Sequence, residues 1–285
     1  MPTLLDGRIV SDSLLTEVKK EVDVLKSKGF SPKLVVIVVG ENPASKVYVK
    51  KKQEACGQVG ILSELVLLPE SVTEQELLAK IEGLNKDAAV TGMIVQLPLP
   101  KHISEPLVIK AINPYKDVDG FHAYNVGKMF LSKDFENMAP CTPKGIIKIL
   151  EYYKIDVSGM DAVVIGKSNI VGKPMAVMLM NRGATVTTCH SRTKNLLKYS
   201  GDADLIVVAV GKPGFLKPDM VKEGAIVVDV GINRLENGKL VGDADFDGLQ
   251  SKVSAITPVP GGVGPMTVAC LLENTVTAAK KQHNL

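Results

Sequence analysis

Three segments of the chain carry side chains suited to proton and amide chemistry. In Tyr48-Val-Lys-Lys-Lys52 the terminal residues are four apart on a predicted helix, so Tyr48 and Lys52 share one face. A lysine held against an aromatic ring and partly withdrawn from water can act as a base near neutral pH. Lys50, Lys51 and Lys52 are consecutive, however, and such a run also reads as a solvated helix face. Gln96 ends the apolar run Met93–Val95 and is followed by Leu97-Pro98-Leu99-Pro100. Its amide would either point into a pocket at the strand end or be satisfied locally. Asp119 lies in Lys116-Asp-Val-Asp-Gly120. A carboxylate there can accept the paired N–H donors of an aminopyrimidine-like ring, or simply belong to an Asp-Gly turn. The four cysteines (Cys56, Cys141, Cys189, Cys270) form no Cys-x-x-Cys pair, and the four histidines show no ligand spacing, so no metal site is expected.

A second set of residues suits a dinucleotide. Asp161–Ile165 reads as a strand, Gly166-Lys-Ser-Asn-Ile-Val-Gly172 as a glycine-rich turn, and Met175–Met180 as a helix, with Pro174 in its first turn. Gly166 permits the tight turn, Gly172 permits close packing, and free N–H groups at the helix start can hold a pyrophosphate. Ser168 stands where the Gly-x-Gly-x-x-Gly pattern has its middle glycine, so the turn alone is also compatible with an ordinary βα connection. The next strand, Thr185–Cys189, runs into His190-Ser191-Arg192-Thr193-Lys194. An NAD enzyme usually carries an acidic residue there for the ribose 2′-hydroxyl. Hydroxyl and basic groups, with Lys167 on the turn, suit a 2′-phosphate instead, and the expectation is NADP. Gly211-Lys-Pro-Gly214 and Gly231-Ile232-Asn233 follow two further strands and add small residues at the same sheet edge. Tyr-x-x-x-Lys also occurs in short-chain dehydrogenases, but there it follows the glycine turn within one domain, whereas here it lies far upstream.

The elements that must position these groups alternate. Strands are predicted at 34–39, 62–68, 92–97, 162–165, 185–189, 205–210, 225–230 and 253–256. Helices are predicted at 13–28, 43–56, 73–85, 143–153, 174–181 and 266–280, with Asn42–Pro43 as an N-cap followed by a first-turn proline. Several strands are apolar on both faces, as in parallel sheets, so the fold class is α/β in two domains, the C-terminal one a Rossmann-type parallel sheet. A boundary is expected between Asp119 and Pro140, giving a domain of residues 1–120, completed by a C-terminal helix at 268–285, and a domain of 140–267. With 285 residues, 34 basic against 31 acidic side chains and 45% apolar residues, the chain can bury a core and shows no excess of positive charge that would suit nucleic acid. Its aliphatic runs are strand-sized, the first residues lack a signal-peptide core, and the scattered cysteines fit a reducing compartment. The expected setting is the cytoplasm, with no membrane and no nucleic-acid partner.

Six segments in order (Tyr48–Lys52, Val95–Pro100, Lys116–Gly120, Pro140–Pro143, Gly166–Gly172 and Pro258–Thr267) closely resemble the bifunctional methylenetetrahydrofolate dehydrogenase/methenyltetrahydrofolate cyclohydrolase family along essentially the whole chain. The resemblance implies NADP-dependent oxidation of 5,10-methylenetetrahydrofolate, then hydrolysis of the methenyl cation to 10-formyltetrahydrofolate. It implies that Lys52 serves the cyclohydrolase step, that Gln96 pairs with it, that Tyr48 lines the folate pocket and orients Lys52, and that Asp119 anchors the pterin edge. Pro260, Gly261 and Gly262 would lie close to folate. Gly166, Lys167, Ser168, Ser191, Arg192 and Ile232 would line the cofactor. Family members are homodimers with the folate cleft between the domains. Ala123 departs from the family pattern, where many bacterial members carry proline.

Overall fold

The computed structural model describes the backbone of residues 1–285 and every side chain except those of residues 43–46. The expected cap at Asn42–Pro43 therefore lies outside the described residues. In chain order, β1 (Thr3–Leu4) leads into α1 (Gly7–Ser27). Then β2 (Lys33–Val39), α2 (Pro43–Val59), β3 (Leu62–Leu68), α3 (Glu74–Lys86) and β4 (Gly92–Val95) alternate, followed by α4 (Glu105–Ala111) and α5 (Ala123–Met129). Next come α6 (Cys141–Tyr152), β5 (Asp161–Ile165), α7 (Gly172–Met180), β6 (Thr185–Cys189), α8 (Leu197–Ser200) and β7 (Leu205–Val208). The chain closes with β8 (Ile226–Asp229), β9 (Asn233–Arg234), β10 (Leu240–Val241), α9 (Phe246–Leu249), β11 (Ala255–Ile256) and α10 (Val263–Gln282).

Two compact units result. One comprises Ser13–Lys128, Phe135–Ala139 and Val268–Leu285, the other Met1–Asp12, Met129–Asp134 and Pro140–Thr267; the division falls within α1 and within α10. In the first unit a three-stranded parallel sheet has the order β3-β2-β4. The central strand is buried from Leu34 to Val39, which is why its sequence is a continuous aliphatic run and not an alternation. Val35 and Ile37 pack with Leu77 and Ile81 of α3 and with Met93 of β4. A capping box starts α3: Thr73 Oγ1 accepts the Glu76 N–H at 3.2 Å while the Glu76 carboxylate accepts the Thr73 N–H at 2.8 Å. Beyond β4 the segment at Lys116–Asp117 continues the sheet by one bridge, with the Met93 N–H donating to Lys116 O at 2.9 Å.

The second unit holds a six-stranded sheet, order β1-β11-β8-β7-β5-β6, in which every pairing is parallel. From β5 the chain passes to β6 on one side and returns to β7 on the other, so the strand order reverses at β5. Ligands of such sheets bind outside the carboxyl ends of the strands at that reversal. A small antiparallel hairpin, β9–β10, follows β8.

The sequence pattern assigns the first residues to the N-terminal domain, and the structure puts Met1–Asp12 in the other unit. The reason is β1. Thr3 and Leu4 pair with Ala255 and Ile256, with the Thr3 N–H donating to Ser254 O at 2.8 Å and the Leu5 N–H to Ile256 O at 2.9 Å. A two-residue strand has no readable period, and it exists only because β11 satisfies its hydrogen bonds. The β4 prediction also overran, since the strand ends at Val95.

Candidate active site

Lys52 sits on α2 and is buried, with only 7% of its surface exposed. Its ammonium donates to Gln96 Oε1 at 3.1 Å. The glutamine is held from both ends. Its backbone N–H donates to Ile37 O at 2.8 Å, continuing the β2–β4 ladder past β4, and its Nε2 donates to Leu97 O at 2.9 Å. With the amide nitrogen engaged, the amide oxygen is left to face the lysine. Tyr48, one turn earlier on α2, is half-buried, and that burial pushes its phenol up from the usual value, so it remains a neutral ring with a donor hydroxyl.

Asp119 is placed by a clamp that lies just before it. Asp117 is buried, and its carboxylate accepts the N–H groups of Gly120 at 3.1 Å, Phe121 at 3.3 Å and His122 at 2.8 Å, and the Asn125 amide at 2.9 Å. Gly120 is required within this loop. Its φ is +77°, and a Cβ there would come within 2.5 Å of the Met138 carbonyl oxygen. Asn274 of α10 adds a tie, donating to Val118 O at 2.9 Å and Ala139 O at 3.1 Å. Desolvation pushes the Asp119 carboxyl up; the charge of Lys52 pulls it down and that of Asp117 pushes it up. Among the described residues the Asp119 side chain has no hydrogen-bond partner, so its acceptor capacity is open to a ligand. It borders an apolar pocket lined by Met93, Leu97, Val108, Ile112 and Phe121.

The second unit gathers the dinucleotide candidates at the carboxyl ends of its strands. Gly166 ends β5 with φ +139°, and its N–H donates to Cys189 O at 2.9 Å. A Cβ on Gly166 would collide with the Ala209 carbonyl oxygen, and one on Gly172 with the Gly166 carbonyl oxygen. Ser168 accepts the N–H groups of Val171 at 3.1 Å and Gly172 at 3.3 Å, so it shapes the entry to α7. After β6, the His190 N–H donates to Thr193 Oγ1 at 2.9 Å and the Arg192 N–H to His190 Nδ1 at 3.1 Å. This tight turn leaves Ser191 and Arg192 exposed, as Lys167 is on the glycine turn. Ile232, beyond β8, is 45% exposed. The turn Pro260-Gly261-Gly262 also lies in this unit. Gly262 N–H donates to Pro258 O at 2.8 Å, Gly261 has φ +113°, and the Arg8 guanidinium covers Gly261.

The structure thus joins Lys52 to Gln96 directly, sets Asp119 within the electrostatic reach of Lys52, and assembles Gly166, Lys167, Ser168, Ser191, Arg192 and Ile232 along one sheet edge. The supporting residues Asp117, Asn125 and Asn274 escaped the sequence reading. Only Asp117 left a signal, as the first acid of the Lys116–Gly120 motif.

Comparison with known proteins bears on both units. Residues 5–119 match the model of the tetrahydrofolate dehydrogenase/cyclohydrolase catalytic domain, and residues 140–283 that family's NAD(P)-binding domain. The bifunctional protein FolD of Campylobacter jejuni (serotype O:2) is 56% identical over 282 residues, covering 99% of this chain and 100% of that protein. The crystal structure of a Campylobacter jejuni FolD methylenetetrahydrofolate dehydrogenase/cyclohydrolase superposes with a TM-score of 0.96 at 56% identity, over 99% of each chain. The Trypanosoma brucei methylenetetrahydrofolate dehydrogenase-cyclohydrolase, solved with NADP cofactor and inhibitor, gives a TM-score of 0.95 at 35% identity, covering 100% of this chain and 99% of that one. With both domain models matched in order and relatives similar over nearly their full length, the chain belongs to the tetrahydrofolate dehydrogenase/cyclohydrolase family.

Proposed function

We propose that the chain oxidises 5,10-methylenetetrahydrofolate with NADP to the 5,10-methenyl cation and hydrolyses that cation to 10-formyltetrahydrofolate. The observation that carries this reading is the hydrogen bond at 3.1 Å from the buried Lys52 to Gln96, in the unit that matches the catalytic domain.

The residues present fit the cofactor. The α7 start offers backbone N–H groups to a pyrophosphate. The β6 end carries Ser191 and Arg192 with no carboxylate, and Lys167 stands on the glycine turn, a set suited to a 2′-phosphate. Gly166 leaves the backbone open to approach, and exposed Ile232 offers apolar surface. When bound, NADP supplies the electron acceptor for the oxidation.

On the folate side, Asp119 accepts the donor edge of the pterin, using the capacity that no group among the described residues fills. Tyr48 packs against the ring and confines Lys52. Lys52 takes the proton of a water attacking the methenyl carbon, while Gln96 keeps the nitrogen in place. Water addition and loss of a proton give the neutral adduct, whose ring opening yields the formyl product. The family resemblance supports a folate-binding role for Pro260, Gly261 and Gly262 as well, a turn of the second unit in which Gly261 has φ +113°.

The family resemblance further supports a homodimer acting in the cytoplasm. Among the described residues no helix is long and apolar enough to cross a membrane. Analytical ultracentrifugation tests the dimer.

A near-ultraviolet time course tests the activity. Folded protein mixed with methylenetetrahydrofolate and NADP should produce reduced cofactor without lasting methenyl species. Accumulating methenyl species would leave a dehydrogenase alone. No change with either NADP or NAD would refute the reading. The competing reading, a dehydrogenase acting on another small substrate, predicts that last outcome.

A further inference from the structure

We propose that Asp243 is a positioning residue for the cofactor, its carboxylate tying together two strand-end loops beside the glycine turn; the proposal rests on the NADP reading above. Asp243 follows β10 and is fully buried. Its Oδ2 accepts the N–H groups of Val210 at 2.6 Å and Gly211 at 2.8 Å. Its Oδ1 accepts the Lys212 N–H and the Asn233 side-chain amide, both at 2.9 Å. The first three donors belong to the loop leaving β7. The fourth comes from Asn233, the first residue of β9, where the loop leaving β8 ends beside Ile232. No strand ladder reaches these groups, so one carboxylate replaces it.

A second buried carboxylate holds the first. Asp229, the last residue of β8, accepts the N–H groups of Gly231 at 2.9 Å, Asp243 at 2.8 Å and Ala244 at 2.8 Å. Glycine is required at both approaches, because a Cβ on Gly231 would strike the Asp243 carboxylate and one on Gly242 the Asp229 carboxylate.

The tie reaches the glycine turn through Ala209. Its N–H donates to Ile165 O at 2.8 Å, and its carbonyl oxygen occupies the space a Gly166 side chain would need. Asp243 grips the very next residue, Val210. On the other side Ile232 lies between Gly231, bonded to Asp229, and Asn233, bonded to Asp243. Freed from Asp243, the loop of Gly211 and Gly214, both at positive φ, has little local stiffness of its own. Asn at position 243 keeps the shape but presents an NH₂ to donors on one side, so the two loops separate.

The test is D243N, read by direct NADP titration and by steady-state kinetics of each half reaction. The expected result is an NADP Kd and KM raised on the order of tenfold. Hydrolysis of supplied methenyltetrahydrofolate should stay within about twofold, because Lys52 and Gln96, the groups assigned to hydrolysis, lie in the other unit. An unchanged NADP Kd in folded D243N overturns the proposal. So does equal loss of both activities in folded protein, which would mark a general structural role. If D243N does not fold, N233A decides, since it removes only the limb from the start of β9. Weakened NADP binding with intact hydrolysis supports the tie, and unchanged binding overturns it. The wild-type titration is the control: absence of NADP binding there removes the cofactor reading itself, and this proposal with it.

Discussion

Lys52 Nζ and Gln96 Oε1 are 3.1 Å apart, and the glutamine is oriented by two backbone partners of its own. The lysine is therefore presented by one element, α2, and aimed by another, the end of β4. Replacing Lys52 by Met keeps the bulk and removes the nitrogen. Hydrolysis of methenyltetrahydrofolate should fall on the order of a hundredfold or more, the usual loss for a general base. Dehydrogenase turnover should survive, and the methenyl species should then accumulate in the near-ultraviolet time course. Hydrolysis at the wild-type rate would remove Lys52 from the mechanism.

Arg192 stands exposed on the turn after β6, where no acidic residue competes for a ribose hydroxyl. Arg192→Ala should cut kcat/KM for NADP about tenfold, the worth of one charge-assisted hydrogen bond, and leave kcat/KM for NAD unchanged. The ratio of the two specificity constants is the measurement. A parallel drop for both cofactors would show that the guanidinium does not read the 2′-phosphate.

Asp117 gathers three backbone N–H groups and the Asn125 amide in a buried site. Asp117→Ala leaves these donors without an acceptor and should cost about 3 kcal/mol of stability in urea unfolding. Because the same loop carries Asp119, the variant should also show a raised KM for methylenetetrahydrofolate. A loss below about 0.5 kcal/mol would mean that the loop is held by other contacts.

Burial pushes the Asp229 carboxyl up from 3.8 to about 6, against the pull of its three N–H donors. The folded protein then holds this proton more tightly than the unfolded chain does. The resulting stabilisation is full below the unfolded value and is lost as pH rises through about 6, a change of about 3 kcal/mol at most. D229N has no such proton to lose. Urea unfolding at several values between pH 4 and pH 7 should show wild type losing stability relative to D229N as pH rises. A constant difference between the two proteins would contradict this.

How much was legible in the sequence varies by element, and the reason is physical. The burial of β2 on both faces was readable because a strand so buried must be aliphatic throughout. The glycine turn was readable because Gly166 and Gly172 leave no room for a side chain. Tyr48 and Lys52 could be placed on one face because helical period is a local property. Their pairing with remote groups had no such local signal.

The sequence by itself therefore determined the two α/β units, the strand-turn-helix at Gly166 and the residue types at the candidate site. Only the tertiary structure decided that Met1–Asp12 completes the sheet of the second unit through β1 and β11, that Gln96 meets Lys52, and that Asp117, Asp229 and Asp243 gather N–H groups from loops with no ladder to join. A carboxylate that serves backbone donors looks in sequence like any other acid, because its partners are peptide groups that every residue carries. What distinguishes it is burial, and burial is set by the packing of distant segments.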